Sequence, residues 1–381
     1  MKFQKKFHFN KLFFIFIFTI IDIFYFQKNG IREKMLLKGR KYLNKCLKGK
    51  LNKIFYTKFV NPRVTSIIPV YNCQNSIKQV VRSIQNQNMI DIEILLVNDK
   101  SKDDSLKIIE NIQKTDKRIK IINNKKNMGT LYSRCIGALQ AKGNYIFPLD
   151  NDDMFFDDDV FNVVYGETNN FKYDIVGFKF IQVFNNYKAK ISQMNDGCHM
   201  HKKNLTIYQP NLSLFGISKN DRLKINDVHI WSKCIKNSIY KKAVNSLGKK
   251  RYSFFMSFAE DTSMVFVLFN VAESFKYISK YGIYRNNRVK SAYKIMPYSV
   301  KLFGEVFVLD VIFDFTRNDF KSKKFAVYKA IYIRNCKFYK ALNKINISFF
   351  KNTLKKLLSC PYINNEDKKI LKISFKNVLR S

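Results

Sequence analysis

Residues 145–156 read YIFPLDNDDMFF. An apolar run ends in Asp150-Asn151-Asp152-Asp153 and the chain then turns apolar again. Upstream, VTSIIPVY (64–71), IEILLVND (92–99) and IKIINN (119–124) are short β-branched runs. Between them, SIKQVVRSIQNQ (76–87), SLKIIENIQK (105–114) and TLYSRCIGALQAK (130–142) place apolar residues at helical spacing. Strands alternating with helices of this length predict βαβ units and a mostly parallel sheet covered by helices. Ligands of such sheets sit beyond the carboxyl ends of the strands. Three strand ends carry polar groups: Tyr71-Asn72, Asn98-Asp99 and the Asp150–Asp153 cluster.

The bulk composition bounds the rest. The chain has 381 residues, 46% of them hydrophobic, with 36 Phe and 21 Tyr, enough for one large or two coupled cores. The net charge of +40 comes from 56 Lys and 13 Arg dispersed along the chain, together with 39 Asn. Dispersed Lys without an RNP, zinc-finger or basic-zipper pattern argues against a nucleic-acid partner. Seven Cys without a CxxC give no disulfide framework and no zinc spacing. The Cys198–His201 cluster lacks a second ligand pair and reads as a loop.

The strand ends do not carry a phosphate-binding glycine loop. Neither GxxxxGK nor GxGxxG follows the first strand, which excludes the P-loop and dinucleotide readings. Two Asp at i, i+2 can instead point at one Mg²⁺ or Mn²⁺ that holds phosphate oxygens. An isolated Asp-Asn-Asp-Asp reads as a solvated turn. Three polar strand ends on one edge turn the reading toward a metal–diphosphate seat.

These segments resemble the family 2 glycosyltransferases of the GT-A fold. SIIPVYNCQNSI is similar to the family's opening strand and base loop, VNDKSKDDS to its V-[DN]-D-G-S-x-D motif, and NMGTLYSRCIGALQAKGNYIFPLDNDD to its N-x-G through L-D-x-D-D block. IWSKCIKNSIY, FAEDTSMVFVLF and YGIYRNNRVKSA resemble the later lid-side, Glu-Asp and closing segments. The resemblance runs over residues 64–292, and it departs from the pattern where Lys100 replaces the motif's glycine and Asn98 its first acid. No Q-x-x-R-W motif occurs, which argues against a processive polysaccharide synthase. Pro148 removes a ladder donor from the last strand and predicts a local irregularity there.

The resemblance implies an inverting, metal-dependent transfer of a hexosyl or N-acetylhexosaminyl group. The donor would be a nucleoside-diphosphate sugar, first of all a UDP-sugar, and the acceptor a hydroxyl of a glycan, lipid or protein. Asp150 and Asp152 would seat Mn²⁺ or Mg²⁺. Pro69, Val70, Tyr71, Asn98 and Asp99 would hold the nucleotide, together with Asp150. Arg134 would either reach the nucleotide or pair with Asp99. Asp261 would be the general base, with Glu260 orienting the adjacent loop; acids at a helix N-terminus are the plain alternative for this pair. Asp153, Trp231 and Lys233 would lie on the sugar and acceptor side. The competing reading is a catalytically inactive glycan- or nucleotide-binding module on the same fold.

The expected organisation is a hydrophobic segment at 1–30, a basic stem at 31–62, a catalytic domain at 63–292 and a helical extension at 293–381. The catalytic domain divides into a nucleotide-sugar half (63–160) and an acceptor half (161–292). LFFIFIFTIIDIFYF (12–26) follows Lys2, Lys5, Lys6 and Lys11 and reads as a single-pass membrane anchor, Golgi or ER in a eukaryote. Basic residues follow it too, so the charge bias leaves its orientation open.

Overall fold

The computed structural model describes residues 62–184, 205–208, 210, 215–217, 223–225, 229–287, 296–315, 347–361 and 365–376. The expected anchor at 12–26, nearly all of the stem and the Cys198–His201 cluster lie outside them. No helix among the described residues is long and apolar enough to cross a membrane.

The first half alternates as the sequence predicts: β1 (Val64–Val70), α1 (Ile77–Gln85), β2 (Ile92–Asn98), α2 (Ser105–Thr115), β3 (Ile119–Asn123), α3 (Thr130–Gln140) and β4 (Tyr145–Pro148). Next come β5 (Met154–Phe155), α4 (Val160–Gly166), β6 (Ile175–Phe184), β7 (Leu205–Tyr208), β8 (Phe215–Ile217), β9 (Leu223–Ile225) and a 3₁₀ turn (Ile230–Ser232). Then follow β10 (Lys233–Lys236), α5 (Asn237–Leu247), α6 (Lys249–Tyr252), α7 (Glu260–Val271), β11 (Ser274–Asn287), α8 (Tyr298–Phe315), α9 (Ile347–Leu358) and α10 (Asn365–Ser374).

Among the described residues the main sheet runs β3-β2-β1-β4-β10-β6-β11-β5, with β7 beside β11 and β8–β9 a separate hairpin. The strands β3, β2, β1 and β4 are parallel. That arrangement carries residues 70–72, 98–100, 123–124 and 149–153 to one edge. β10 runs antiparallel to both its neighbours, and the sheet is therefore mixed beyond β4. Its pairing with β4 ends at Ile146, so the missing donor of Pro148 faces no ladder there.

Both faces of the parallel half are covered, which is why its strands read as continuous apolar runs. Along β1 and β2, Ile67, Leu95 and Val97 enter one core, while Ile68, Val70, Ile94 and Leu96 enter the other. The first core also contains Leu302, Val306, Phe307, Phe350 and Phe375. The C-terminal helices thus share a core with β1 and β2.

Candidate active site

The site starts from three loops at the carboxyl edge of the sheet. After β1 the chain turns at Asn72, and its side chain accepts from the Lys102 amide at 2.8 Å. The Cys73 amide donates to Ser105 Oγ at 2.8 Å, and the Gln74 amide to Asp103 at 3.1 Å. The loop after β1 is in this way sewn to the loop after β2. Lys100, where the motif expects glycine, has φ 61°. Left-handed backbone is where glycine is favoured, so the structure supplies the physical reason for the motif's usual residue.

Asp99 is buried and accepts three hydrogen bonds. The donors are Asn124 Nδ2 at 2.8 Å, the Met128 amide at 2.8 Å and the Gly129 amide at 2.7 Å. It fixes the turn that opens α3, the helix carrying Arg134. Gly129 has φ 88°, and a Cβ there would lie 2.7 Å from the Met256 nitrogen. The backbone of the 253–259 loop therefore passes directly against the start of α3.

Arg134 departs from one of its two expected roles. Its partner is not Asp99: one terminal nitrogen donates to Asp150, and the other donates to Asp261 and to Glu260, the last at 3.5 Å. The guanidinium side chain is 3% exposed, while Asp150 is 31%, Asp261 21% and Glu260 13% exposed. One buried cation therefore joins the strand-end acid to the two acids that begin α7. Those residues lie 110 positions apart in sequence and meet at one place in the fold. Arg134 is held firmly charged: burial works against the guanidinium, and the charges of Asp261, Asp150 and Glu260 outweigh it.

The two helix acids differ in environment. Burial and the Asp261 charge lift Glu260 to about 7, against the pull of Arg134. Burial first and then the Asp150 charge raise Asp261 above the ordinary Asp range, offset by Arg134, Lys233 and a backbone hydrogen bond from Ile230. Lys233 is fully buried and donates from Nζ to the His229 carbonyl at 2.6 Å. Trp231 is 2% exposed, with Phe180 and Arg285 against its ring at 4.8 and 5.4 Å. Lys233 lies near enough to Asp261 for its charge to act on that carboxylate, whereas Trp231 packs into the other core. Tyr71 is exposed at the end of β1, while Val70 and Asn98 are buried.

Asp150, Asp152 and Asp153 each offer a carboxylate oxygen within 4.8 Å of the others. Hard oxygen donors gathered this closely, on a strand end rather than a helix, fit a Mg²⁺- or Mn²⁺-sized cation. Asp153 is buried, and its amide donates to the Asp150 carbonyl at 3.4 Å. Ser76 Oγ donates to the Asn151 carbonyl at 2.7 Å and ties the acid loop to the start of α1.

The glycosyl transferase family 2 model matches residues 65–242. This chain carries a family 2 glycosyl transferase domain. The chain is 40% identical over 97 residues to a glycosyltransferase of Haemophilus influenzae without an assigned reaction. That match covers 26% of this chain and 39% of the relative. It is 37% identical over 93 residues to the GalNAc(5)-diNAcBac-PP-undecaprenol beta-1,3-glucosyltransferase of Campylobacter jejuni, covering 24% of this chain and 30% of that protein. The chain therefore spans well under half the length of these curated relatives. S. aureus TarS 1-349 in complex with UDP-GlcNAc is similar in fold, with a TM-score of 0.59 at 13% identity. The likeness covers 84% of this chain and 89% of that TarS 1-349 chain, and so extends beyond the family 2 match.

Sequence reasoning missed three parts of the site. The backbone bond from Ile230 to Asp261 has no side-chain signature. The fully buried Tyr240 lies close enough to Arg134 and Asp261 to feel both charges, yet reads in sequence as a core aromatic. The passage of residues 253–259 over α3 depends on Met256 backbone atoms, which no motif records.

Proposed function

We propose that the protein is an inverting, metal-dependent glycosyltransferase that moves a sugar from a UDP-sugar to an acceptor hydroxyl. The observation that carries this reading is the Arg134 clasp, which brings Asp150 of the acid cluster and the Asp261 carboxylate to one guanidinium. Asp150, Asp152 and Asp153 would hold the cation, which when bound neutralises charge on the departing diphosphate. The exposed Tyr71 offers a face to the base, and the zipped loops after β1 and β2 shape its pocket.

Across the guanidinium from Asp150, Asp261 takes the proton of the acceptor hydroxyl. The acceptor oxygen forms its bond to the anomeric carbon as the bond to the diphosphate oxygen breaks, and the electron pair leaves with the nucleoside diphosphate. A carboxylate raised by burial is a better proton acceptor than a solvated one. Arg134 keeps Asp261 aimed and offsets the repulsion between it and Asp150. Glu260, lifted to about 7, shares the same guanidinium and steadies the turn. The UDP and UDP-GlcNAc complexes of the TarS neighbours support a nucleotide-sugar donor for this fold.

The test is nucleotide release from a panel of UDP- and GDP-sugars, with glycan, lipid-linked and peptide acceptors, in Mn²⁺ and in chelator. Metal-dependent UDP release with one donor is the expected result; release unchanged by chelator would remove the metal from the reading. We further propose that residues 12–26 tether the protein to a membrane, on the strength of their apolar run and basic flank. Full-length protein recovered in the soluble fraction after alkaline carbonate washing would contradict the tether.

A further inference from the structure

We propose that Gly304, on the C-terminal helix α8, is a positioning residue for the turn that carries Asp261. The inference rests on the reading of Asp261 as the base, and it assigns a catalytic use to a helix beyond the family 2 match. Three sets of contacts lead to it.

First, the turn before α7 is unusual. Ala259 has φ 58° and ψ 10°, a left-handed conformation that is unfavourable for a non-glycine residue. Surrounding contacts must impose it. Second, the contacts come from two sides. On the donor side, the Met256 backbone lies against Gly129, whose amide is held by Asp99. On the far side, Gly304 faces Phe258: a Cβ at 304 would lie 2.9 Å from Phe258 Cδ1 and 3.1 Å from its carbonyl carbon, with the oxygen closer still. Backbone cannot yield as the end of a flexible side chain can. The absence of a Cβ at 304 is what lets α8 reach the carbonyl just ahead of Ala259.

Third, α8 is itself anchored. Phe254 packs on Phe303, Phe307 and Phe349 with ring centroids 5.9, 6.3 and 5.7 Å apart, bridging α8 and α9. Asp310 accepts from Arg251 at 3.1 Å and from Lys356 at 2.9 Å, and Arg251 also donates to Asp314. The chain entering the 253–259 loop and the helix pressing on its end are thus clamped together. α8 and α9 act as a strut for the base.

The experiment compares the full-length protein with Gly304→Ala and with Phe349→Leu, a milder loosening of the aromatic clamp that adds no volume. Gly166→Ala is the control, since nothing lies within 4 Å of a Cβ there. Amide hydrogen exchange is followed by peptide, UDP affinity by calorimetry, and turnover with the sugar nucleotide found active. Displacement of about 1 Å at a reacting group can cost ~10²-fold in rate. Gly304→Ala is therefore expected to lower kcat by about 10–100-fold with UDP affinity held within about two-fold. Exchange should rise in the peptides covering 254–262 and not in β1–β3, and Phe349→Leu should show the same split more weakly. If Gly304→Ala raises exchange throughout the protein, Phe349→Leu alone decides. Unchanged kcat and unchanged local exchange in a folded variant would overturn the proposal. Absence of turnover in the wild type with every donor would instead sink the base assignment, while the exchange result would still decide the role of Gly304.

Discussion

Replacing Arg134 by Met should destabilise the protein strongly, and by an amount that depends on pH. The guanidinium is 3% exposed and is shared by three carboxylates. Asp150 is the most exposed of these and loses least; Glu260 and Asp261, 13% and 21% exposed, would be left as buried acids without a counter-charge. Removing one partner of a buried ion pair costs about 3–5 kcal/mol. For a chain of this size that corresponds to a fall in Tm on the order of 5–10 °C. The sign with pH follows from linkage. Arg134 lowers the folded-state pKa of Glu260 and Asp261, so its loss raises both further above their unfolded values. A folded pKa raised above the unfolded one means stability is kept at low pH and lost as pH climbs toward the folded value. Melting curves of wild type and Arg134→Met at pH 5 and pH 8 should therefore diverge more at pH 8. Arg134→Lys should recover only part of the loss, because one ammonium cannot span Asp150 and Asp261 as two guanidinium nitrogens do. An equal difference at both pH values would refute the reasoning, as would a loss below about 1 kcal/mol, which is the scale of a surface pair.

Asp152→Asn should abolish Mn²⁺-dependent UDP binding and leave the melting temperature within a few degrees, because this carboxylate serves the acid cluster rather than the core; titration of UDP in Mn²⁺ and in chelator checks it. Lys100→Gly should raise stability by up to about 1 kcal/mol, since Lys100 sits at φ 61°; denaturant unfolding at constant m-value measures it, and a loss would show that the Lys100 side chain makes a compensating contact.

The parallel half was legible because its two periods are clean. Buried β-branched runs and helices with one apolar face alternate from residue 64 to 149, and both strand faces find cover. Asp150, Asp152 and Asp153 were legible for the same reason: a strand end fixes where its next residues lie. The mixed half was not, since β10 enters the sheet antiparallel between β4 and β6, and no local pattern encodes that insertion. Arg134 was the sharpest limit. Its helix could be read, but its partners lie 16 and 127 residues away, and only the crossing of α3 and α7 brings the second of them to it. Gly304 was invisible for a related reason, since a glycine in an apolar helix carries no label for the carbonyl it admits.

The most direct test of the account is the contrast between Asp261→Asn and Asp150→Asn, with UDP-sugar affinity and turnover measured on the same preparations. Removing a general base costs roughly 10²–10⁴-fold in rate, and donor binding does not use that group. Asp261→Asn should therefore bind the donor as the wild type does and lose transfer to that extent, while Asp150→Asn should weaken the donor complex itself. Turnover within a few-fold of wild type in Asp261→Asn would contradict the assignment of the base and make Glu260, on the same guanidinium, the next carboxylate to replace.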